Sequence, residues 1–362
     1  MTDAISGNRP IRQDHDHDAQ PTPIARGVRE LDVASVATPR LDLGRLAQSM
    51  AVSRASSSGV TSVAERLDAV RDAFSGPYRV AGQSVVAPPQ FRMKGGFQDS
   101  TFFAPAPNQS STEAFVRSMT PRGREVFRIL TRAGVASAGA VMLGYGKPAA
   151  LVKATQALID AGKLPRLPSP ATLSDCVRKM QWENGIGVDC VDYSMNALAA
   201  VRGTTVEALG LVRGSDPFGR DGNVKPEHFS RQPATGLRPG DIVTLKDPDP
   251  NEVGHRVIVR DHHVVTGPSD PARGAVVAQW GATASAFFAG TGPFHVVHVD
   301  SSWGAEADGK PFGGYRSDTW VLDEGSKRWM SFSPHTGERG VLVSADGPAG
   351  EIFAGAYRYG AR

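Results

Sequence analysis

The stretch NGIGVDCVDYSMNALAAVRG (184–203) decides how this chain is read. Gly185 and Gly187 mark a turn, and from Cys190 onward Met195, Leu198 and Val201 recur at helical spacing until Gly203 ends the run. Cys190 is therefore predicted in the first turn of a helix, where unpaired N–H groups and the helix dipole favour a thiolate. A thiolate nucleophile also needs a base and a group that orients the base, and both must come from elsewhere in the chain.

Toward the C-terminus the texture changes after residue 236 to short β-branched runs: DIVTL (241–245), HRVIVR (255–260), AVVAQW (275–280), FHVVHVD (294–300), DTWVLD (318–323) and RWMSF (328–332). They predict an antiparallel sheet or small barrel, with DEGSK (323–327) turning its last hairpin. His255 opens one strand and is the candidate base; Asp300 closes a later one and is the candidate orienter. Alternation places Phe294, Val296, His298 and Asp300 on one face, so His298 is an alternative third member. His262, His263 and His295 compete with His255. Cys176, mid-helix in SDCVRKM, reads as core packing.

Toward the N-terminus, SPATLSDCVRKMQ (169–181) predicts a short helix, and residues 111–168 a helical subdomain with starts at Thr120–Pro121 and Pro148 and a stop at Gly162. The apolar run VASAGAVMLGYG (135–146) is well short of the ~20 residues that span a bilayer and reads as buried helix. Residues 1–110 have the Ser, Pro, Gln and Asp content of a mostly disordered leader. Its exception is TSVAERLDAVRDAF (61–74), a helix behind a Ser62–Glu65 capping box. The predicted organisation is a leader (1–110), a helical subdomain (111–168) and a cysteine hydrolase domain (169–362).

The second half resembles the papain-like cysteine peptidases, closest to the NlpC-type cell-wall endopeptidases and amidases. GVDC (187–190) matches the pattern that opens the nucleophile helix, LRPGDIV (237–243) the strand after it, and GHRVIV (254–259) the strand carrying the histidine. Val191, Asp192 and Tyr193 depart from the small-Gly-Phe continuation usual in the NlpC branch, and Asp300 lies farther from the histidine than the third residue usually does. VDSSWG (299–304) is similar to the papain-type Asn-Ser-Trp-Gly, which implies Asp300 as orienter and Trp303 as its cover. The resemblance implies an α+β papain-like domain in which His255 activates Cys190 and Asp300 holds the imidazole. It further implies amide hydrolysis in peptides, with peptidoglycan as the expected substrate. Transglutaminase- or deamidase-like toxins share the Cys, His, Asp order, and a catalytically dead binding module is the non-enzymatic alternative.

Other features narrow the classes. With 40 basic and 37 acidic residues and no basic block, nucleic acid is not the expected partner. Two cysteines exclude a disulfide framework. MTDAISGNRPIRQDHDHDAQ (1–20) lacks the pattern of a secretory signal peptide, so the expectation is export through a non-classical or specialised route, as for an effector with an immunity protein or secretion chaperone as partner, the alternative being the cytoplasm. DHDHD (14–18) reads as solvated charge, DHH (261–263) as a β-turn and GYGKPAA (144–150) as helix punctuation, so no metal or cofactor is predicted.

Overall fold

The structure is a computed structural model that describes residues 61–92, 99–104, 107–169, 171–217, 228–246, 254–290, 292–303, 313–332, 341–344 and 352–360. The Ser62 hydroxyl accepts from the Glu65 N–H and the Glu65 carboxylate accepts from the Ser62 N–H, the reciprocal cap that starts α1 (Val63–Phe74). This helix buries Leu67, Val70 and Phe74, and the hairpin of β1 (Tyr78–Val80) and β2 (Gln83–Val85) follows it. The expected helix at 61–74 is present, and residues 75–92, expected as leader, also belong to the folded core. Composition missed the hairpin because so short a pair of strands is buried by packing on Val177 far along the chain and not by its own apolar content. The DHDHD run lies outside the described residues.

Six helices follow: α2 (Asp99–Phe102), α3 (Thr112–Arg117), α4 (Pro121–Arg132), α5 (Ala138–Met142), α6 (Pro148–Asp160) and α7 (Leu173–Glu183). Thr120 caps α4 with Pro121 at its first position, and Pro148 opens α6 in the same way. They form no separate subdomain. Val126, Leu130, Leu151 and Leu158 share one apolar cluster with Phe74 of α1, Leu198 of α8 (Cys190–Val201) and the sheet residues Ile242 and Ile258.

The rest of the described chain is a sheet of β3 (Phe229–Gln232), β4 (Ile242–Lys246), β5 (Arg256–Val265), β6 (Phe294–Trp303), β7 (Gly314–Asp323), β8 (Arg328–Phe332), β9 (Val341–Ser344) and β10 (Ile352–Tyr359). The ladder runs β3-β10-β4-β5-β6-β7-β8-β9, antiparallel at every pairing, and the fold is α+β. AVVAQW (275–280), expected as a strand, lies instead in α9 (Pro271–Phe287) between β5 and β6. Asp270 caps that helix by accepting from the Ala272 N–H at 2.9 Å, and Pro271 occupies its first position, a start signal that outweighs two valines. DHH (261–263) is not a turn but continues β5 beyond an irregularity between Val259 and Asp261.

The two faces of the sheet are buried differently. One carries Ile242, Ile258 and Tyr357 and packs on α8 and α1. The other carries Val243, Val257, Val299, Trp320, Trp329 and Ala356, all buried in a cluster that draws on no α-helix. Among the described residues this face, the trough of the sheet, is filled by side chains of the sheet and of the turn at Leu237. Among the described residues no helix is long and apolar enough to cross a membrane.

Candidate functional site

The turn before Cys190 is held by three other stretches of main chain. The Val188 N–H donates to Gln90 O at 2.9 Å and Arg92 N–H donates to Val188 O at 3.3 Å, which lays residues 90–92 alongside the turn. From the other side Asp189 N–H donates to Gly144 O at 2.8 Å, and the Ser302 hydroxyl of β6 donates to Val188 O at 2.7 Å. Glycine is required here by proximity: a Cβ would lie 1.8 Å from Arg92 O at Gly144, 2.2 Å from Gln90 O at Gly187 and 2.2 Å from Pro89 O at Gly314. Sequence reasoning took Gly144 as helix punctuation and missed that residues 89–92 thread past these three positions.

Cys190 is the first residue of α8, as expected, behind the N-cap Asp189, whose carboxylate accepts from the Asp192 N–H at 2.6 Å. The thiol is buried, with 4% of the residue exposed. Burial and the neighbouring Asp189 push its pKa up to about 12, against the Arg256 guanidinium and the Arg256 backbone N–H facing the sulphur, which pull it down. The expected lowering by the helix start is outweighed in this arrangement. Cys176 is buried within α7 and free, as the core reading anticipated.

His255 lies next to Arg256 in the chain but faces the other way. It exchanges both backbone hydrogen bonds with Leu245, at 2.9 and 3.0 Å, so it extends the β4–β5 ladder by one residue. Alternation then sends Arg256 toward Cys190 and His255 into the trough. There its ring lies 3.7 Å from that of Trp303, inclined by 30°. The Arg316 guanidinium sits 3.9 Å from the same indole. Two planar groups cannot both approach so closely on one side, so Trp303 is sandwiched between them. Burial first, then Arg316 and Arg256, holds the imidazole neutral well below its usual range, and its Nε2 has no hydrogen-bond partner.

Asp300 is brought to neither of them. Its carboxylate accepts from the Ser317 hydroxyl at 2.6 Å and lies 3.7 Å from Arg260, which is paired with Asp68 of α1. The physical reason is strand parity: Trp303 lies three positions after Asp300, so the two side chains leave opposite faces of β6. In Asn-Ser-Trp the separation is two, and the corresponding position here is Ser301, whose hydroxyl donates to Arg256 O at 2.5 Å. Trp303 stacks on His255, but the Asp300–histidine hydrogen bond that it was expected to cover is not formed. His298, on the Asp300 face, has its Nδ1 3.1 Å from Thr319 Oγ1 and does not replace it.

The groups gathered around Cys190 are ones the sequence did not single out. Arg256 is buried, with Nη2 donating to Asp216 at 2.9 Å and Nη1 to His255 O at 2.9 Å. Asp192 accepts from the Gly214 N–H at 3.2 Å, and burial pushes its carboxyl up to about 7. A buried cation beside acidic residues could have been sought in HRVIVR, where Arg256 and Arg260 interrupt an apolar strand. Among the described residues no group of three or more His, Cys, Asp or Glu is placed to hold a metal ion. No family model, curated protein or solved structure matches this chain.

Proposed function

We propose that the chain is a cysteine-nucleophile amide hydrolase of the papain-like kind, acting on peptide amides such as those of peptidoglycan, with Cys190 as nucleophile and His255 as base. The observation that carries the reading is the place of Cys190: first in α8, with the Arg256 backbone N–H at its sulphur and His255 one residue away along the same strand. For the imidazole to take the thiol proton, the His255–Leu245 end of the β4–β5 ladder has to open, so that His255 leaves the Trp303 stack and turns to the Cys190 side of the strand. The sulphur then attacks the carbonyl carbon, and the N–H groups of Cys190 and Arg256 are the donors for the resulting oxyanion. The imidazolium returns its proton to the leaving amine as the C–N bond breaks. Water hydrolyses the thioester, releasing a carboxylic acid and the free thiol.

The second reading is a papain-like binding module without activity, favoured by the histidine buried on the opposite face of the sheet from Cys190 and by the thiol held near 12. Incubation of purified peptidoglycan with wild type and with Cys190→Ala separates them. New muropeptides from wild type alone support the hydrolase, and equal release by Cys190→Ala overturns it. If wild type releases none, a target protein heavier by about one dalton would point to glutamine deamidation, and binding without any product would establish the module.

A further inference from the structure

Two strands and two turns meet at a pair of imidazoles that play no part in the chemistry proposed for Cys190. Alternation along β6 puts His295 on the trough face with Val297 and Val299, and His262 of β5 lies opposite Val297 in register. The rings are parallel to within 9°, with His262 Nε2 standing 2.9 Å from His295 Nδ1. Each outer nitrogen meets an oxygen: His262 Nδ1 lies 2.8 Å from Leu237 O, and His295 Nε2 lies 3.1 Å from Glu324. The His295 side chain is 5% exposed and the Glu324 side chain 37%, so the contacts run outward from the buried Leu237 to a carboxylate that water reaches.

A backbone carbonyl and an ionised carboxylate only accept, so both outer nitrogens must carry a proton, and the bond between the rings takes a third. Two neutral imidazoles carry only two. An imidazole holds the additional proton in preference to a carboxyl, by about two units of ordinary pKa. We propose that His262 and His295 share one extra proton, and that the resulting cation is a pH-operated latch holding the β7–β8 turn (323–327) through Glu324. With the proton in place all three hydrogen bonds form. When it is lost to water, His295 Nε2 turns a lone pair toward Glu324, and the exposed carboxylate is the end that lets go. The same turn is fastened to the start of β6 by the Glu324 N–H, which donates to Pro293 O at 3.0 Å, and lies so close that a Cβ at Gly292 would overlap Asp323 Oδ1.

The remaining charged groups around the pair are engaged elsewhere or exposed. On β5, Asp261 accepts from the His262 N–H at 2.9 Å and His263 lies 3.0 Å from Asp270. On the turn, Asp323 accepts from the Gly325 N–H and the Ser326 hydroxyl, and Lys327 and Arg328 are exposed. Beside Leu237, Arg238 is exposed and Asp241 is paired with Arg358. Burial first, then His295, holds His262 below its usual range, so the pair takes one extra proton and not two.

Hydrogen exchange of the backbone N–H at position 324, corrected for the intrinsic rate, tests this on the full chain. The closed latch binds one proton more than the open one, so closure is full below the ordinary imidazole value of about 6.5 and is lost as pH rises. Corrected exchange should therefore quicken on the order of tenfold per pH unit above that value. Glu324→Gln should abolish the dependence, because an amide N–H can donate to His295 Nε2 and complete the chain with two neutral rings. Glu324→Ala should exchange fast throughout. In wild type labelled with 15N at histidine, about three of the four ring nitrogens should carry protons at pH 6 and about two at pH 9. Two protons at pH 6, exchange that does not change with pH, slow exchange in Glu324→Ala, or the wild-type dependence retained in Glu324→Gln would each overturn the latch.

Discussion

The two faces of β5 and β6 carry opposite chemistry within a few residues. Toward the helices stand Cys190, Arg256, Asp300 and Ser302, a buried set of a thiol, a guanidinium, a carboxyl and a hydroxyl. Toward the trough stand His255, Trp303 and Arg316, a stack in which the imidazole is kept neutral. A strand offers only these two directions, so a single residue of spacing decides which set a side chain joins. Motif matching counts residue types and approximate distances; parity is what converts such a match into a contact.

The largest effect is expected where the helix-side turn meets residues 89–92. Gly144→Val places side-chain atoms where Arg92 O already lies and adds a branched residue at φ +88°. It should cost more than about 3 kcal/mol, enough to unfold a marginal domain, as read by urea denaturation. A near-neutral result would mean that the turn before Cys190 is not fixed by that segment.

Next, the two faces should respond to pH with opposite sign. Burial raises Asp192 from 3.8 to about 7, so the folded state holds that proton more tightly. The corresponding stability is fully present below about pH 4 and is lost as pH rises to about 7. Burial depresses His255 below 6.5, so its contribution is full above 6.5 and is lost as pH falls. In unfolding midpoints measured from pH 4 to 8, Asp192→Asn should flatten the neutral-side decline and His255→Gln the acid-side one. Identical curves for the two variants would break the contrast.

The smallest effect asks which partner Asp300 has. In a double-mutant cycle Asp300→Asn should couple to Asp68→Asn through Arg260 by about 1 kcal/mol and not measurably to His255→Gln. Coupling to His255 instead would return Asp300 to the role of orienter.

Much of the architecture was legible because it rests on local signals. The Ser62–Glu65 cap, Thr120–Pro121, Pro148 and the DEGSK turn each fix a boundary through hydrogen bonds or a restricted φ within a few residues. The position of Cys190 at a helix start was legible for the same reason. What escaped was non-local. AVVAQW reads as a strand by composition, and only Asp270–Pro271 reveals the helix. The contact of residues 89–92 with Val188 spans about a hundred residues, and no periodicity announces it. The direction of His255 depends on a ladder with Leu245 whose register the sequence does not state.

The ladder order also bears on when the site can exist during synthesis. β10, built from residues 352–359, lies between β3 and β4, so a nascent chain lacking those residues leaves β4 with one edge open. The next strand is β5, which brings Arg256 to Cys190. Helices α1 to α8 can be made and packed on the ribosome while this edge waits for its last strand. The sheet that carries Arg256 to Cys190 is therefore completed only after residue 359 has emerged.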